Sequence, residues 1–406
     1  MKPIYRRNMH LACVAATALA LGGCQSDEPA NQLDPQEYIH FGSPTLSGGE
    51  SRSTMVGEFG ESAGQVPSFK VWGYCVPTAV GGSTLDYEGA KSQWDVKVGH
   101  IGGADVMDGV EVTVKADGST VYSQPKAWIN ADKQDSYDYT YSFVAMANTG
   151  AAQVEHIISK ASNMQYPRLR FDMPFGNTGS STSTGAALDP NDVPDALMAT
   201  MFDRTRRMGK VPMTFNHILT GVRFRAVNRS GQILRVKRVS LSGRFYRTGY
   251  YAFGSSTKRE MWVDDLNTSS YAGTFTVFSG DQTVADETSA VLGVNPGDPA
   301  DALGSVLLLL PNPNGRPPVG DNDASAVYSL GDNKVITIEY TLTPAGGAES
   351  AVKTGSTGTF SLHYVPSANT LHTANLTFTG DRVIVLFQAD NNTNWESGSD
   401  NNIEIH

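Results

Sequence analysis

Cysteine is scarce in this chain, with three in 406 residues, and their positions exclude a disulfide framework. Cys13 and Cys24 lie within and at the end of an apolar leader, which leaves Cys75 alone in the body of the chain. A fold without disulfides must be held by buried apolar surface, and a chain of this length can bury enough. Basic charge is also short: 31 Lys and Arg stand against 41 Asp and Glu, a formal net charge of −10. The leader holds three of the cations and no acid, so the remainder sets 28 cations against 41 anions and stands at −13. Without clustered Lys and Arg to neutralise phosphates, nucleic acid is not an expected partner. No later run of 18 apolar residues occurs, so no transmembrane helix is expected. Catalytic signatures are missing too. There is no G-x-S-x-G elbow, phosphate loop, H-E-x-x-H or cysteine pair at zinc spacing.

Single residues do not fill that gap. The eight histidines are scattered. His363 and His372 fall on different expected strands, and His217, inside an apolar run, reads as a satisfied buried histidine. Carboxylate pairs for glycoside hydrolysis can be drawn from many positions, and spacing selects none. DNDAS (321–325) and SGSDNN (397–402) lack the regular loop of a calcium site and read as solvated turns. Trp72, Trp94, Trp128, Trp262 and Trp395 sit singly on separate segments, as core or edge aromatics do. The chain is therefore expected to be no enzyme, with no metal and no cofactor.

What is present begins at the N-terminus. Lys2, Arg6 and Arg7 precede an uncharged apolar stretch that ends in Leu21-Gly22-Gly23-Cys24. A basic region, a short apolar region and small residues at a cleavage point make a secretory signal. The apolar stretch is shorter than the roughly 20 residues that span a bilayer. Small residues directly before a cysteine resemble the bacterial lipobox, in which the thiol is acylated and the leader is cut just before it. Two or more acyl chains on Cys24 would give a durable membrane anchor. The acidic start Gln25-Ser26-Asp27-Glu28 resembles the tetrapeptides that send some lipoproteins to the outer face of the outer membrane.

From Cys24 to about Gly60 the sequence is polar, with one apolar patch at Tyr38-Ile39-His40-Phe41. Beyond Pro67 come short β-branched and aromatic runs with period-two alternation, separated by Gly, Asp, Asn and Pro. These are residues 68–76, 94–98, 110–114 and 137–146, then 213–228 (one long strand or a pair), 233–243, 305–315, 335–343, 359–365, 374–380 and 382–390. The low-complexity stretch 176–185 reads as loop, and DPNDVPDALMATMFDR (189–204) is the best helical candidate, with Asp or Asn as its cap. Long helical periodicity is nearly absent. The expected fold is all-β: two consecutive β-sandwich domains, transthyretin-like or Greek-key, behind a lipoprotein signal peptide. The expected division is 1–23 signal peptide, 24–60 tether with a removable strand, 61–205 N-terminal sandwich and 206–406 C-terminal sandwich.

Taken in order, several passages resemble the fimbrillin family of surface lipoproteins (Mfa-like proteins), the subunits of donor-strand pili. They are the lipobox at Cys24, SRS around Arg52, FKVWGY (69–74), DALMAT (195–200), VPMTFNHILTGVRFRA (211–226), SVLLLLP (305–311), VITIEYTL (335–342) and LTFTGDRVIVLFQADNNTNW (376–395). TLHTANLTF (370–378) stands where the family carries a glycine-lysine-tyrosine segment after a tryptophan. The resemblance implies that a protease cuts after Arg52, leaving Ser53 as the new N-terminus and removing the lipidated segment with its first strand. The exposed groove would take a strand from the next subunit by β-augmentation. Ile403 and Ile405, on one face of the last segment, are candidate donor residues, although that segment could equally close its own sheet. The implied partners are other fimbrial subunits and the outer membrane, reached through the lipid. The implied location is the cell surface as an outer-membrane lipoprotein, or the fimbrium once matured. The alternative is a non-polymerising surface lipoprotein that binds a glycan or a host protein.

Overall fold

A computed structural model describes residues 38–46, 58–62, 65–77, 106–128, 139–150, 152–157, 168–174, 186–188, 190, 193–252, 261–263, 270–298, 303–311, 334–356, 370–380, 382–389 and 401–405. The fold is all-β and sandwich-like, built from four curled sheets. The first has seven strands in the order Thr45–Leu46, Thr214–His217, Leu197–Arg204, Tyr139–Ala147, Ser68–Pro77, Met107–Val114 and Thr120–Val121. All its neighbours run antiparallel except the first pair, which is parallel.

Successive side chains on a strand point to opposite faces, and the middle strands of this sheet are buried on both. Phe69, Val71, Phe143, Ala145, Leu197 and Ala199 enter one core. Trp72, Tyr74, Val144, Met146 and Met198 enter a second, larger core shared with the later sheets. This double burial overrides the local signals for a helix at 189–204. Leu197–Arg204 is instead a central strand, with Leu197 and Ala199 facing one core and Ala196 and Met198 the other. Ala, Leu and Met favour helix by about half a kilocalorie over β-branched residues, far less than two packed faces contribute.

The five-stranded sheet is ordered Lys353–Ser356, Val335–Thr343, Ile233–Tyr246, Ser270–Val284 and Ala186–Leu188. Leu234 and Val236 face Leu342 and Tyr340. Past a register shift at Lys237, Val239 and Leu241 face Ile338 and Ile336. The three-residue step from Val236 to Val239 is thus a β-bulge that keeps the apolar face inward. The six-stranded sheet has Ser289–Val291 and Val306–Leu309 on one edge of Thr220–Asn228. Next to that strand come Thr370–Thr379 in parallel, Arg382–Ala389, and Asn401–Ile405. A four-stranded sheet joins Met261–Val263, Thr248–Ala252, Arg168–Asp172 and Gln153–Ile157. Strands are exchanged across residues 205 and 206: Thr214–His217 belongs to the first sheet, and Arg168–Asp172 pairs with Thr248–Ala252.

The run 213–228 is a pair of strands, Thr214–His217 and Thr220–Asn228, in two different sheets. At the changeover His217 is buried, with Nδ1 2.7 Å from Asp195 Oδ1, and Asn148 Nδ2 donates to the Asp195 carbonyl at 2.9 Å. Trp72 and Trp128 are buried, as is the unbridged Cys75. The expected strands at 94–98 and 359–365, the loop at 176–185, and Trp94, Trp395 and His363 lie outside the described residues.

Candidate functional site

The segment Tyr38–Leu46 lies against both ends of the seven-stranded sheet. On one side it follows Val211–Phe215. Val211 N–H donates to the His40 carbonyl at 2.7 Å, Gly42 N–H to the Val211 carbonyl at 2.8 Å, and Thr45 N–H to the Met213 carbonyl at 2.9 Å. Thr45 and Leu46 pair in parallel with Thr214 and Phe215, and the Thr45 hydroxyl donates to that of Thr214 at 3.3 Å. On the other side Ile39 N–H donates to the Lys126 carbonyl at 2.8 Å, and Tyr38 bridges Ala127 in antiparallel sense. The Tyr122 hydroxyl donates to the Ile39 carbonyl at 2.6 Å and accepts from Lys126 N–H at 3.2 Å, while the Thr120 hydroxyl donates to the Phe41 carbonyl at 2.8 Å. The segment thus adds a parallel strand to one edge of the sheet, leaving Thr214–His217 without a bare edge there, and at the other end it is tied through the Thr120 and Tyr122 hydroxyls and the backbone of Lys126 and Ala127.

The sequence alternates accordingly. Ile39 and Phe41 are buried in the first core and His40 between them is exposed. The Phe41 ring centroid lies 6.0 Å from Phe69, 5.7 Å from Phe143 and 6.1 Å from Tyr122, the first two edge-on. Edge-to-face aromatic pairs add about 0.5–1.5 kcal/mol each beyond area burial. Burial raises the Tyr122 hydroxyl pKa above its ordinary value, opposed by the Lys126 N–H, so at neutral pH the group stays protonated and able to donate. Beyond the segment, Phe59 bridges Val66 and lies with its ring 4.7 Å from Phe215, extending the apolar wall.

Of the residues singled out from the sequence, Cys24, Arg52 and Ser53 lie outside the described residues. Residues 47–57, which contain Arg52, join the closing segment to Glu58. Ile403 and Ile405 belong to the strand Asn401–Ile405, which pairs antiparallel with Val383–Phe387 on the outer edge of the six-stranded sheet. In this chain that strand closes its own sheet, and it is held along one side among the described residues. Sequence reasoning found Tyr38–Phe41 but missed Thr45–Leu46, Thr120, Tyr122 and Lys126. Tyr122 follows a run of turn residues, and nothing local signals that its hydroxyl reaches back 83 residues to Ile39.

No family model and no curated protein matches this chain. Among solved structures it is similar to a fimbrial protein from Bacteroides vulgatus, with 16% identity, 83% of this chain and 92% of that chain covered, and a TM-score of 0.43. It is also similar to a candidate cell adhesion protein from Bacteroides ovatus (11% identity, 89% and 99% covered, TM-score 0.35). A third is a fimbrial assembly protein from Parabacteroides distasonis (8% identity, 90% and 99% covered, TM-score 0.31).

Proposed function

We propose that this chain is a cell-surface fimbrial subunit that assembles by strand exchange and supports adhesion. The observation that carries the reading is the double-edged seat of Tyr38–Leu46. One short segment supplies two apolar side chains to a core, a parallel ladder to one edge of the sheet, and hydrogen bonds to Thr120, Tyr122 and Lys126 beyond the other. In this reading lipid on Cys24 brings the precursor to the outer membrane, and cleavage after Arg52 cuts the link between the segment and the body. Loss of residues 24–52 then opens a groove walled by Phe69, Phe143 and Phe215. An extended strand from a second subunit restores the ladder and fills alternate pockets.

Asn401–Ile405 is the donor we favour, because Ile403 and Ile405 repeat the spacing of Ile39 and Phe41 and an edge strand gives up only one ladder on leaving. The division into an N-terminal sandwich (61–205) and a C-terminal one (206–406) belongs to the same proposal, with the groove in the first and the donor in the second. N-terminal sequencing of protein recovered from cells tests the maturation step. A free start at Ser53 is expected for the assembled subunit. A blocked, lipidated start at Cys24 in all surface material would instead mean a permanently anchored, non-polymerising surface lipoprotein.

A further inference from the structure

Outside the seven-stranded sheet, a cleft of about 820 Å³ opens between the end of the Ser270–Val284 strand and the turn that follows Ser289–Val291. The volume falls in the roughly 300–1,000 Å³ range of sites that hold drug-sized ligands. The residues lining it include Ser279, Thr283, Ser289, Ser305, Asn295 and one aromatic, Phe278. Ala186–Leu188 covers only Gly273–Phe275 of the strand's second edge. Among the described residues, no strand pairs with the remainder of that edge.

The cleft is braced rather than collapsed. Gln282 spans it, with Nε2 donating to the Val291 carbonyl at 2.9 Å and Oε1 accepting from Gly293 N–H at 2.9 Å. Ser305 N–H donates to the Leu292 carbonyl at 2.9 Å, and Asn295 N–H to Asp298 Oδ2 at 2.7 Å. Gly293 and Gly304 hold positive φ of 83° and 69°, and a Cβ at Gly304 would collide with the Leu292 carbonyl, so the turn has one shape.

Charge decides what such a site takes. Asp281, at the rim, is answered by Lys237 at 2.7 Å and Arg235 at 3.9 Å. The hydrogen bond from Lys237 holds its carboxyl below the usual carboxylate range. Arg225 also lines the cleft, and no carboxylate among the described residues lies within ion-pair distance of it. Its neighbour two residues back, Arg223, is buried on the same face with Nε donating to Thr373 Oγ1 at 2.9 Å. Arg223 is pushed down to about 10, first by burial and then by the charge of Arg225. Arg225 is thus the one cation among the residues lining the cleft, in a chain whose net charge is −10, and an anion bound to it would relieve its repulsion with Arg223.

We propose that this cleft binds a short acidic saccharide, with Arg225 holding a carboxylate and the Ser, Thr and Asn side chains hydrogen-bonding the ring hydroxyls. A guanidinium matches a carboxylate with two parallel hydrogen bonds, and a wall of neutral hydroxyls matches a polyhydroxylated ring. The site is independent of whether the chain polymerises. Calorimetric titration of the purified full-length chain with tri-galacturonic acid, sialyllactose and neutral lactose tests it. Saturable binding of either acidic probe, at least tenfold tighter than lactose, is expected, and the preferred probe identifies the source of the carboxylate. Arg225→Gln should weaken that binding tenfold or more, the usual cost of losing a hydrogen bond to a charged group, with an unchanged melting temperature. Should that variant not fold, Asn295→Ala, on the turn surface, is expected to weaken the same probe. Absence of acidic-probe binding, equal binding of lactose, or undiminished binding by a folded Arg225→Gln would overturn the proposal.

Discussion

Phe41 concentrates the energetics of closure in one ring. It is 3% exposed and touches three aromatic neighbours, and truncating such a residue to alanine costs about 3–5 kcal/mol. Phe41→Ala should lower the unfolding free energy of the uncut chain by that amount, read from urea denaturation. It should leave a matured, assembled subunit untouched, because the side chain departs with its strand. Equal destabilisation of both forms would place Phe41 in the mature fold.

His372 makes a separate prediction in the other core. It faces Val222 in the six-stranded sheet, 3% exposed, and burial holds its imidazole down to about 4 from an ordinary 6.5. The unfolded chain therefore binds this proton more readily than the folded one. The contribution is fully present above pH 6.5 and is lost as pH falls toward 4, by roughly 3 kcal/mol in all. Urea unfolding at intervals between pH 7 and pH 4 should show that loss, and His372→Gln should flatten it. The apolar run around His217 reads in the sequence as the setting of a buried histidine, and the structure buries it. The Asp195 partner of His217 was hidden, because 22 residues separate them and only the pairing of His217 with Leu197 brings them together.

At the scale of elements, the closing segment depends on hydroxyls as well as rings. The raised Tyr122 pKa means that the folded state holds the phenolic proton more tightly than the unfolded chain does. Its contribution is complete below pH 10 and fades as pH rises through the elevated folded value. The uncut chain is expected to lose stability above pH 10. Tyr122→Phe should remove that pH dependence while costing about 1–3 kcal/mol at neutral pH, from the Ile39 carbonyl and Lys126 N–H left without the hydroxyl. Unfolding curves that stay superimposable with those of the parent would remove Tyr122 from the closure.

Strands whose alternation is unbroken were readable in advance, and Val335–Thr343 matches its expected span residue for residue. Ser270–Val284 carries no such unbroken alternation, because Gly273, Gly280 and Asp281 interrupt it. In the fold Gly273 simply opposes Gly243 in the middle of a ladder. Leu197–Arg204 misled in the opposite way, its helix-forming residues serving two cores at once. In both cases the deciding partner lies dozens of residues away.

At the scale of the whole molecule, the closing segment and the Asn401–Ile405 strand stand at opposite ends of the sequence and on different sheets. On the proposed reading each protomer loses one strand and lends another, a head-to-tail contact that yields an open filament when the rotation between subunits does not close into a ring. The all-β class was evident from turn-bounded runs. The pairing of strands across residues 205 and 206 was not, since no local pattern says that Thr214–His217 pairs backward into the first sheet. The cleft beside Arg225 was equally hidden, being assembled from segments about 50–80 residues apart in sequence.

The central claim is that removing one segment turns a closed protomer into a subunit able to polymerise. The most direct measurement is denaturing electrophoresis without boiling after arginine-specific proteolysis of the purified chain, run beside Arg52→Ala and a chain lacking residues 401–406. The account predicts a ladder of regularly spaced high-molecular-weight bands for the parent only, with Ser53 at the new N-terminus. A parent that is cut after Arg52, loses residues 38–46 and still runs as a monomer would contradict it.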